Sequence, residues 1–475
     1  MIASRKRRPP IPLLSRAPSG VTERPLGDLA SCLLMLLAIV SASLIDSPRS
    51  IHIRGTTLLG IITLVEIGIG AGALILNRSL PKRVMLLLAP YTAFMIWCGF
   101  SVAWAPPKTQ GLQNAAVFLS FLVLATVSAI ATADYRSTVE RLITGAMVAA
   151  DFIGLGLVAA SVIVRGWPTN IDVTPWFVHP RALALFGLVP LSWHLARWAL
   201  GNERDVLVAC LWVSALFFSL SRTATATAML LVLLASIMRA KRVRGSNTQG
   251  RRSQYLMFAI VPVLIVGALS FAPFRARVIG SGARGGSISQ LELRDNGRSE
   301  MWAGVMKSAA ESPIIGKGLG TSESAVSNTY FWVGHPHNDF LRIYHDLGLI
   351  GLLCLISALA LWWIALWRDW RRRAEDDNTE HAVLSVAALG ALLSLVLGML
   401  TDNSLVYGFV MSPTAVLIGA GLGAPRRYKR RKRSARRAHL AGGDGNAAEA
   451  PDDFELGIES TTEKLVVRTR RRRRL

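Results

Sequence analysis

Long apolar segments recur along this chain and constrain its fold more than any other feature. Between Leu33 and Gly423 the sequence returns repeatedly to windows of about nineteen residues with few charges, each long enough to cross roughly 30 Å of hydrocarbon as a helix. With 475 residues, 52% of them hydrophobic, and a mean hydropathy of +0.40, the chain is too apolar for a soluble domain. The pattern predicts an all-α, polytopic integral membrane protein.

We predict about twelve transmembrane helices. Their approximate limits are 27–45, 56–76, 84–104, 112–132, 142–164, 182–200, 206–220, 223–238, 255–272, 348–367, 382–400 and 404–424. The first span has an apolar core too long for a secretory signal, and no small-residue cleavage pattern follows it, so we interpret it as a helix. Residues 1–26 then form a basic arm, 27–424 the transmembrane domain, and 425–475 a basic tail that lacks helical periodicity and is expected to be disordered.

Basic residues are concentrated in segments that an even number of spans puts on one side of the membrane. These are the arm, the connections 239–254 and 368–373, and the tail. The positive-inside rule makes that side cytoplasmic, with both termini there. We attribute the net charge of +23 to topology and to attraction to anionic membrane lipids, and expect no nucleic acid partner, because only Tyr428 interleaves with the tail arginines.

Two longer connections lie on the opposite, external face, at 165–181 and at about 273–347. Within the second, residues 296–311 are typical of an amphipathic helix, with Trp302, Val305, Met306 and Ala309 on one stripe. The glycine-rich stretch 316–320 follows and predicts a turn at which backbone approaches another segment closely. It is not a nucleotide-binding loop, because no Ser or Thr follows its lysine.

The segment His335–Gly351 leads from this loop into the tenth span. Polar groups at the mouth of a membrane helix cost free energy, so this segment is a candidate site. Asn338 or Asp339 is suited to cap the helix that follows. His337 is suited to accept a proton from a sugar hydroxyl, whereas His335 fits a hydrogen-bonding role at the start of the helix.

The histidine pair alone makes a weak case for a metal. Pro336 and the helix start would have to aim the imidazoles of His335 and His337 at one point, and no further ligand cluster is evident. The four cysteines, at 32, 98, 210 and 354, lie far apart inside predicted spans and form no Cys-x-x-Cys motif. We therefore predict no metal and no cofactor.

Two arginines are candidates for binding an anion. Arg298 lies in the first turn of the loop helix, where free backbone N–H groups also favour an anion such as a diphosphate; pairing with Asp295 or Glu311 is the structural alternative. Arg222 lies in a turn at the external membrane boundary, where a guanidinium must snorkel or find a partner. A lipid-linked phosphate and a structural pairing with Asp402 both remain open.

These motifs together resemble those of the bacterial O-antigen ligase and O-antigen polymerase superfamily. His337-Asn338, nine residues and then Gly348-Leu-Ile-Gly351 is similar to the His-Asn-x9-Gly-x-x-Gly pattern of that family; Arg298–Trp302, Pro313–Gly318 and Leu220–Arg222 resemble its other shared elements in the same order. The resemblance covers about Trp212 to Leu353, and the first half of the chain matches only in topology.

The resemblance implies a membrane glycosyltransferase of the bacterial inner membrane that takes a glycan from undecaprenyl diphosphate on the periplasmic side. The acceptor is a saccharide, either the lipid A core for a ligase or a growing glycan for a polymerase; transfer to protein is a third option. Leu352-Leu353 replaces the threonine pair of some ligases, which favours a polymerase of O-antigen or exopolysaccharide.

The resemblance also implies roles for individual residues. Arg222 and Arg298 would bind the diphosphate, and His337 would orient or deprotonate the acceptor hydroxyl. Asn338 would hold the local geometry, Arg181 would add a third cation, and Trp302 would join the substrate-binding residues. No metal or nucleotide is then required, because the lipid diphosphate is already an activated donor.

Two other classes of protein remain as alternatives. A secondary transporter or flippase of a lipid-linked solute would use carboxylates inside the membrane, and Glu66 and Asp151 fall within predicted spans. Neither has an evident matching basic residue in a span. A non-enzymatic scaffold would recruit partners through the basic tail.

Overall fold

The computed structural model describes residues 25–45, 47–53, 56–77, 80–106, 108–165, 180–243, 248–272, 274, 298–327, 335–375 and 382–424. Most of the predicted basic arm and all of the predicted tail lie outside these ranges, as do most of the external connection at 165–181 and two stretches of the longer one. Apart from a two-residue antiparallel pair, His52–Ile53 (β1) with Thr56–Thr57 (β2), the regular structure of the described residues is helical.

The helices are α1 (Pro25–Ala42), α2 (Ser47–Ser50), α3 (Leu58–Asn77), α4 (Lys82–Ser101), α5 (Lys108–Arg165), α6 (Pro180–Ala199), α7 (Asp205–Phe218), α8 (Arg222–Val243), α9 (Thr248–Ser270), α10 (Arg298–Ala309), α11 (Thr321–Ser327), α12 (Asp339–Glu375), α13 (Val383–Thr401) and α14 (Gly408–Gly423). A short 3₁₀ turn, Ser404–Val406, lies between the last two helices.

Six helices in the described ranges are long and apolar enough to cross a membrane: α3, α4, α5, α8, α12 and α13. Shorter apolar helices occupy Leu26–Ala42, Asp205–Phe218, Gln254–Ser270 and Gly408–Gly423. This confirms the all-α class and is compatible with a polytopic membrane protein. The count of twelve spans stays a prediction.

Helix α5 consists of two helical parts that meet at a kink. We predicted two spans, 112–132 and 142–164, with a connection between them, and the kink lies in that connection, at Tyr135, whose backbone is non-helical (φ −131°, ψ 49°). Residues 133–141 contain neither glycine nor proline, which agrees with a break of a single residue in place of a longer loop. At about 1.5 Å per residue, each part is long enough for one crossing.

The centre of the bundle is formed by α6 and α14, whose residues are almost all buried, together with α13, of which about two thirds are buried. Gly419 and Gly423, one turn apart on α14, lie directly against the backbone of Ala125 and Ala129 on α5. Small residues permit such close helix contacts within membranes. This dense packing fixes the ends of α13 and α14, and the turn between these helices carries part of the candidate site.

Candidate functional site

A break in α12 separates the candidate site from the long apolar part of that helix. The break is at Gly348, whose φ of +65° and ψ of −165° suit glycine. Beyond it, the backbone N–H groups of Leu349 and Ile350 donate hydrogen bonds to the carbonyls of Pro313 (2.9 Å) and Ile314 (3.2 Å). These bonds attach the start of the long part of α12 to the loop at 313–320. The short first part, residues 339–347, is attached to the same loop through the carbonyls of His345 and Asp346.

The glycine-rich turn contacts this short segment through backbone, which confirms the close approach predicted for residues 316–320. Gly316, Gly318 and Gly320 all have positive φ. The carbonyl of Asp346 accepts from Gly318 N (2.8 Å), and its carboxylate accepts from Gly320 N (2.8 Å) and Ser322 N (2.7 Å). The buried residue Asp346 thus binds three N–H groups of the turn and of the start of α11, one through its carbonyl and two through its carboxylate.

Helix α10 packs beside this segment and holds the backbone next to His337. Met301 and Val305 are buried against Val326 and Leu341, with Trp302 packed on their edge. The indole N–H of Trp302 donates to the carbonyl of Pro336 (2.7 Å). The predicted stripe is wrong at Met306, which is 48% exposed, because residues spaced by four from Met301 face the short segment instead.

His337 adopts a left-handed backbone conformation, with φ of +49°. Such a conformation costs a non-glycine residue about 1–3 kcal/mol and persists where its surroundings enforce it. Here the two flanking residues are fixed: Pro336 by Trp302, and Asn338 because its side-chain oxygen accepts from Leu341 N (3.0 Å). Asn338 is therefore the cap of α12, one of the two residues predicted for that role.

The imidazole of His337 faces the turn at the end of α13. Its Nδ1 lies 3.4 Å from Oδ1 of Asp402 and 3.2 Å from Nδ2 of Asn403. The side chains of His337 and Asp402 are 23% and 15% exposed, so the pair is accessible yet largely shielded from water. Sequence reasoning considered Asp402 only as a partner for Arg222 and did not consider Asn403.

The same turn is contacted by one predicted anion-binding arginine and by the residue next to the other. Arg298 donates from Nη1 to the carbonyl of Thr401 (2.9 Å). The hydroxyl of Thr223, the residue after Arg222, lies 2.6 Å from the hydroxyl of Thr401. Arg222 begins α8 directly after Leu220 and Ser221, where Leu220 has a positive φ of 57°.

Arg181, at the start of α6, is close enough to the site for its charge to act on Asp402. Burial acts to raise the pKa of Asp402, but the hydrogen bond and charge of His337, the backbone N–H of Asn403 and the charge of Arg181 together hold this pKa below its ordinary value. Asp402 is therefore a carboxylate at neutral pH. All six predicted site residues thus lie in or beside one region, around residues 336–338 and 401–403.

Arg342 is fully buried and contacts several polar side chains near His337. Its Nη2 lies 3.0 Å from Nδ1 of His335, 3.4 Å from Oδ1 of Asn403 and 3.6 Å from Oε1 of Glu323. Burial acts to raise the pKa of Glu323, but the hydrogen bond of His335 and the charge of Arg342 keep it below its ordinary value. His335 thus has the hydrogen-bonding role predicted for it.

The contact between Arg342 and Asn403 affects the tautomer of His337, that is, which ring nitrogen carries the proton of the neutral imidazole. A guanidinium only donates, so Arg342 holds the amide oxygen of Asn403 and turns the NH₂ group toward Nδ1 of His337. That NH₂ requires a lone pair on Nδ1, whereas the Asp402 carboxylate requires a proton there. The two partners therefore favour opposite tautomers of His337.

The carboxylates predicted to be isolated within spans have partners. Ser120 and Ser412 donate to Oε2 of Glu66. Asp151 lies 2.9 Å from Nε2 of His194 and accepts from the indole of Trp212. The expectation that Asp151 lacks a basic neighbour is wrong, because His194 is brought to it from α6.

No group of three or more His, Cys, Asp or Glu side chains in the described ranges is arranged to hold a metal ion. At His337 the nearby groups are one carboxylate, one amide and arginines, which is a donor set suited to hydrogen bonding and to anions. The four cysteines are free.

Helices of membrane length and a half-buried histidine among arginines define a membrane-embedded protein with an anion-compatible polar site at the ends of its helices. Residues 206–356 match the family model described as O-antigen ligase. This confirms the resemblance to the O-antigen ligase and polymerase superfamily and supports, in general terms, a membrane glycosyltransferase from a bacterium. No curated protein matches the chain. The matched stretch includes Arg222, Arg298 and His337 but not Arg181 or Asp402.

Proposed function

We propose that this protein transfers a glycan from undecaprenyl diphosphate to a saccharide acceptor, without a metal ion. The observation that carries the proposal is the convergence on residues 401–403: Arg298 bonds to Thr401, Thr223 beside Arg222 bonds to Thr401, and His337 faces Asp402. Cations and a histidine that can take a proton are thereby brought to one surface. The family match over residues 206–356 supports the reaction class.

The proposed membrane arrangement has twelve spans in the bacterial inner membrane, with both termini cytoplasmic. The site is then periplasmic, since the basic connections lie at the other ends of the helices. The two helical parts of α5 on either side of Tyr135 supply the fourth and fifth spans. The division into a basic arm, a transmembrane domain at 27–424 and a cytoplasmic tail belongs to this proposal.

The proposed chemistry is a substitution at the anomeric carbon of the donor. Nε2 of His337 takes the proton of the acceptor hydroxyl, whose oxygen bonds to that carbon. The bond from the carbon to the diphosphate oxygen breaks, and its electron pair stays on the diphosphate. Arg222 and Arg298, with Arg181 as the third cation, stabilise this charge in a poorly hydrated cleft.

Asp402 gives His337 the tautomer that this step requires. A carboxylate that accepts from Nδ1–H leaves the lone pair on Nε2, where the proton must arrive, and stabilises the imidazolium that forms. Trp302 and Asn338 fix the backbone on each side of His337, and in this proposal Trp302 also lies at the edge of the substrate-binding surface.

The absence of the threonine pair at Leu352-Leu353 favours a polymerase over a ligase. We therefore propose that the acceptor is a growing O-antigen or exopolysaccharide chain and not the lipid A core. The contacts of Glu66 and Asp151, the two residues that a transporter would use, do not favour the transporter alternative. Glu66 and Asp151 are held by serines, a histidine and a tryptophan, as structural carboxylates are.

The test is glycan transfer by the purified, reconstituted full-length protein with a lipid-diphosphate-linked oligosaccharide and a matching acceptor. We expect His337→Ala, Arg298→Ala and Arg222→Ala each to lower the rate by at least about 100-fold, the usual range for a general base or a preorganised charge. Glu66→Gln and Asp151→Asn are the matched controls for buried charge and should retain transfer where they fold. Full activity in the His337 and Arg298 variants contradicts the proposal.

Deletion of the gene separates the acceptors. Loss of long surface chains with single repeats still attached to the lipid A core indicates a polymerase. Accumulation of unattached lipid-linked chains indicates a ligase. Unchanged surface glycans and exopolysaccharide contradict both.

A further inference from the structure

A groove of about 510 Å³ lies at the end of the bundle opposite to His337. It is bounded by the second halves of α6, α8 and α12 and the first half of α13. Ala382 at one end of α13 lines the groove, whereas Thr401 at the other end contacts Arg298. The groove is therefore separate from the candidate site, and its volume falls in the range of about 300–1,000 Å³ typical of small-molecule pockets.

The lining of the groove is mostly apolar. Of its eighteen lining residues only Ser192 has a hydroxyl, and that hydroxyl already donates to the carbonyl of Leu188. On α13 the lining runs from Ala382 to Leu393, or about 17 Å of helix, close to the hydrocarbon depth of one membrane leaflet. These dimensions suit hydrocarbon chains that enter from one side of the bilayer.

A ladder of three tryptophans on α12 forms one wall of the groove. Trp363 stacks on Trp367 (6.4 Å between ring centroids), and Trp367 meets Trp370 edge-on (4.7 Å). Trp363 and Trp367 are 36% and 41% exposed. Tryptophan prefers the boundary between hydrocarbon and head groups, so the ladder indicates that the groove opens at such a boundary.

Positive charge stands at the mouth of the groove. Arg371 lies one turn beyond Trp367 on α12, close to the lined face, and is exposed. Arg372 is also exposed but lies on the opposite side of the helix. Arg368, directly after Trp367, is exposed but lies further round the helix from the lined face than Arg371. Two other nearby arginines bind within the chain: Arg239 pairs with Glu203, and Arg373 pairs with Asp369.

We propose that this groove binds an anionic glycerophospholipid, with the acyl chains against the tryptophan ladder and the head-group phosphate at Arg371. The positive charge at the mouth of the groove favours an anionic head group. The length of the groove, close to the depth of one leaflet, favours a bilayer phospholipid. Basic pockets between helices at this membrane depth bind anionic head groups in other proteins. The site is independent of the proposed glycan transfer.

The experiment measures quenching of tryptophan fluorescence in the full-length protein, reconstituted in phosphatidylcholine vesicles that contain brominated phosphatidylglycerol or brominated phosphatidylcholine. We expect a saturable component of the quenching. Brominated phosphatidylglycerol should saturate it at a mole fraction about fivefold lower than brominated phosphatidylcholine does, because one arginine contributes about 1 kcal/mol. Trp367→Phe, which keeps an aromatic side chain but removes the middle fluorophore of the ladder, should reduce this component.

Charge variants locate the head group. Arg371→Gln should remove the preference for phosphatidylglycerol, Arg371→Lys should keep it, and Arg372→Gln is the control on the opposite side of the helix and should keep it. Equal loss in Arg371→Gln and Arg372→Gln would mean a diffuse charge effect and overturn the proposal. Equal quenching by the two lipids would also overturn the proposal. A third contradicting result would be a polyprenyl phosphate, and no phospholipid, among the lipids that mass spectrometry identifies in the purified protein.

Discussion

At the scale of single residues, the tautomer of His337 depends on two neighbours that favour opposite ring nitrogens for its proton. Asn403, oriented by Arg342, presents an N–H group to Nδ1 of His337, and Asp402 presents a carboxylate to the same atom. Proton transfer from an acceptor hydroxyl to Nε2 is compatible only with the carboxylate contact. Asp402 should therefore matter for catalysis even though it makes no direct contact with substrate in the proposed reaction.

Asp402→Asn tests this role. The amide preserves the size of the side chain but no longer stabilises the imidazolium, so we expect kcat for glycan transfer to fall by on the order of 100-fold while KM for the lipid-linked donor changes little. Rates across pH 5–9 supply the measurement, and Asp402→Glu should recover part of the activity. A proportional change in KM alone would assign Asp402 to binding instead.

The depressed pKa of Asp402 also predicts a pH dependence of stability. A carboxylate whose pKa is lowered by folding contributes stability that is complete above its ordinary pKa of about 3.9 and is lost as pH falls through the lower folded value. The difference in Tm between wild type and Asp402→Asn in detergent should thus stay constant from pH 7 to about pH 5 and shrink below about pH 4. A difference that shrinks already between pH 7 and pH 5 contradicts the assignment.

At the scale of elements, the site is assembled by short segments attached to long helices. Motif patterns identified His337, Arg298 and Arg222, because their spacing and order are local properties of the sequence. The turn at 401–403 was not predicted as part of the site, since its role depends on contacts across 65 positions to His337. Thr401, Asp402 and Asn403 form a polar group between two apolar spans, and that local signal could have identified the turn.

Trp302→Phe tests how α10 supports His337. Phenylalanine keeps the packing on the cluster of Met301 and Val305 but loses the hydrogen bond to Pro336, worth about 1 kcal/mol net. We expect kcat to fall about threefold to tenfold while unfolding temperature changes little, measured by transfer assays and thermal unfolding. Trp302→Ala should lower both. An unchanged rate in Trp302→Phe would show that packing alone holds the backbone at His337.

Gly348→Ala tests the break in α12. The positive φ costs a side chain about 1–2 kcal/mol, and the new Cβ would also collide with the carbonyl of Ile314. The variant should unfold at a clearly lower temperature and lose transfer. Gly304→Ala on α10 is the matched control: nothing lies within 4 Å of its Cβ, so it should be neutral or stabilising. Equal stability of both variants would contradict the geometry of the break.

At the scale of the whole molecule, the sequence predicted the class well and the connectivity less well. Apolar blocks identified nearly every long helix, including α7 and α8, which are separate helices joined by a short turn as predicted. The two parts of α5 were predicted, but the connection between them is a kink at Tyr135 and not a loop, since hydropathy marks where polar residues lie and not how far helix extends into them. Buried pairs such as Asp151 with His194 depend on tertiary packing that one-dimensional patterns do not encode.

Removal of residues 425–475 tests the division of the chain. The packed bundle ends at Ala424, whose carbonyl accepts from Arg83, so truncation after Ala424 keeps that contact. Transfer by the truncated protein should remain within about twofold of the full chain, in contrast to the loss expected for His337→Ala. Complete loss of transfer with normal folding would favour the scaffold alternative.

The interruption at Gly348 has a mechanical consequence. The loop at 313–320 holds both sides of this break, since it bonds to His345 and Asp346 before the glycine and to Leu349 and Ile350 after it. The rest of α12 is long and apolar enough to cross a membrane. Long apolar helices tilt when the thickness of the membrane changes. Because the loop holds the chain on both sides of the glycine, we expect such tilting to be taken up beyond Ile350 and not at the imidazole of His337. In the proposed reaction, the position of His337 is thereby separated from changes in the thickness of the lipid around the protein.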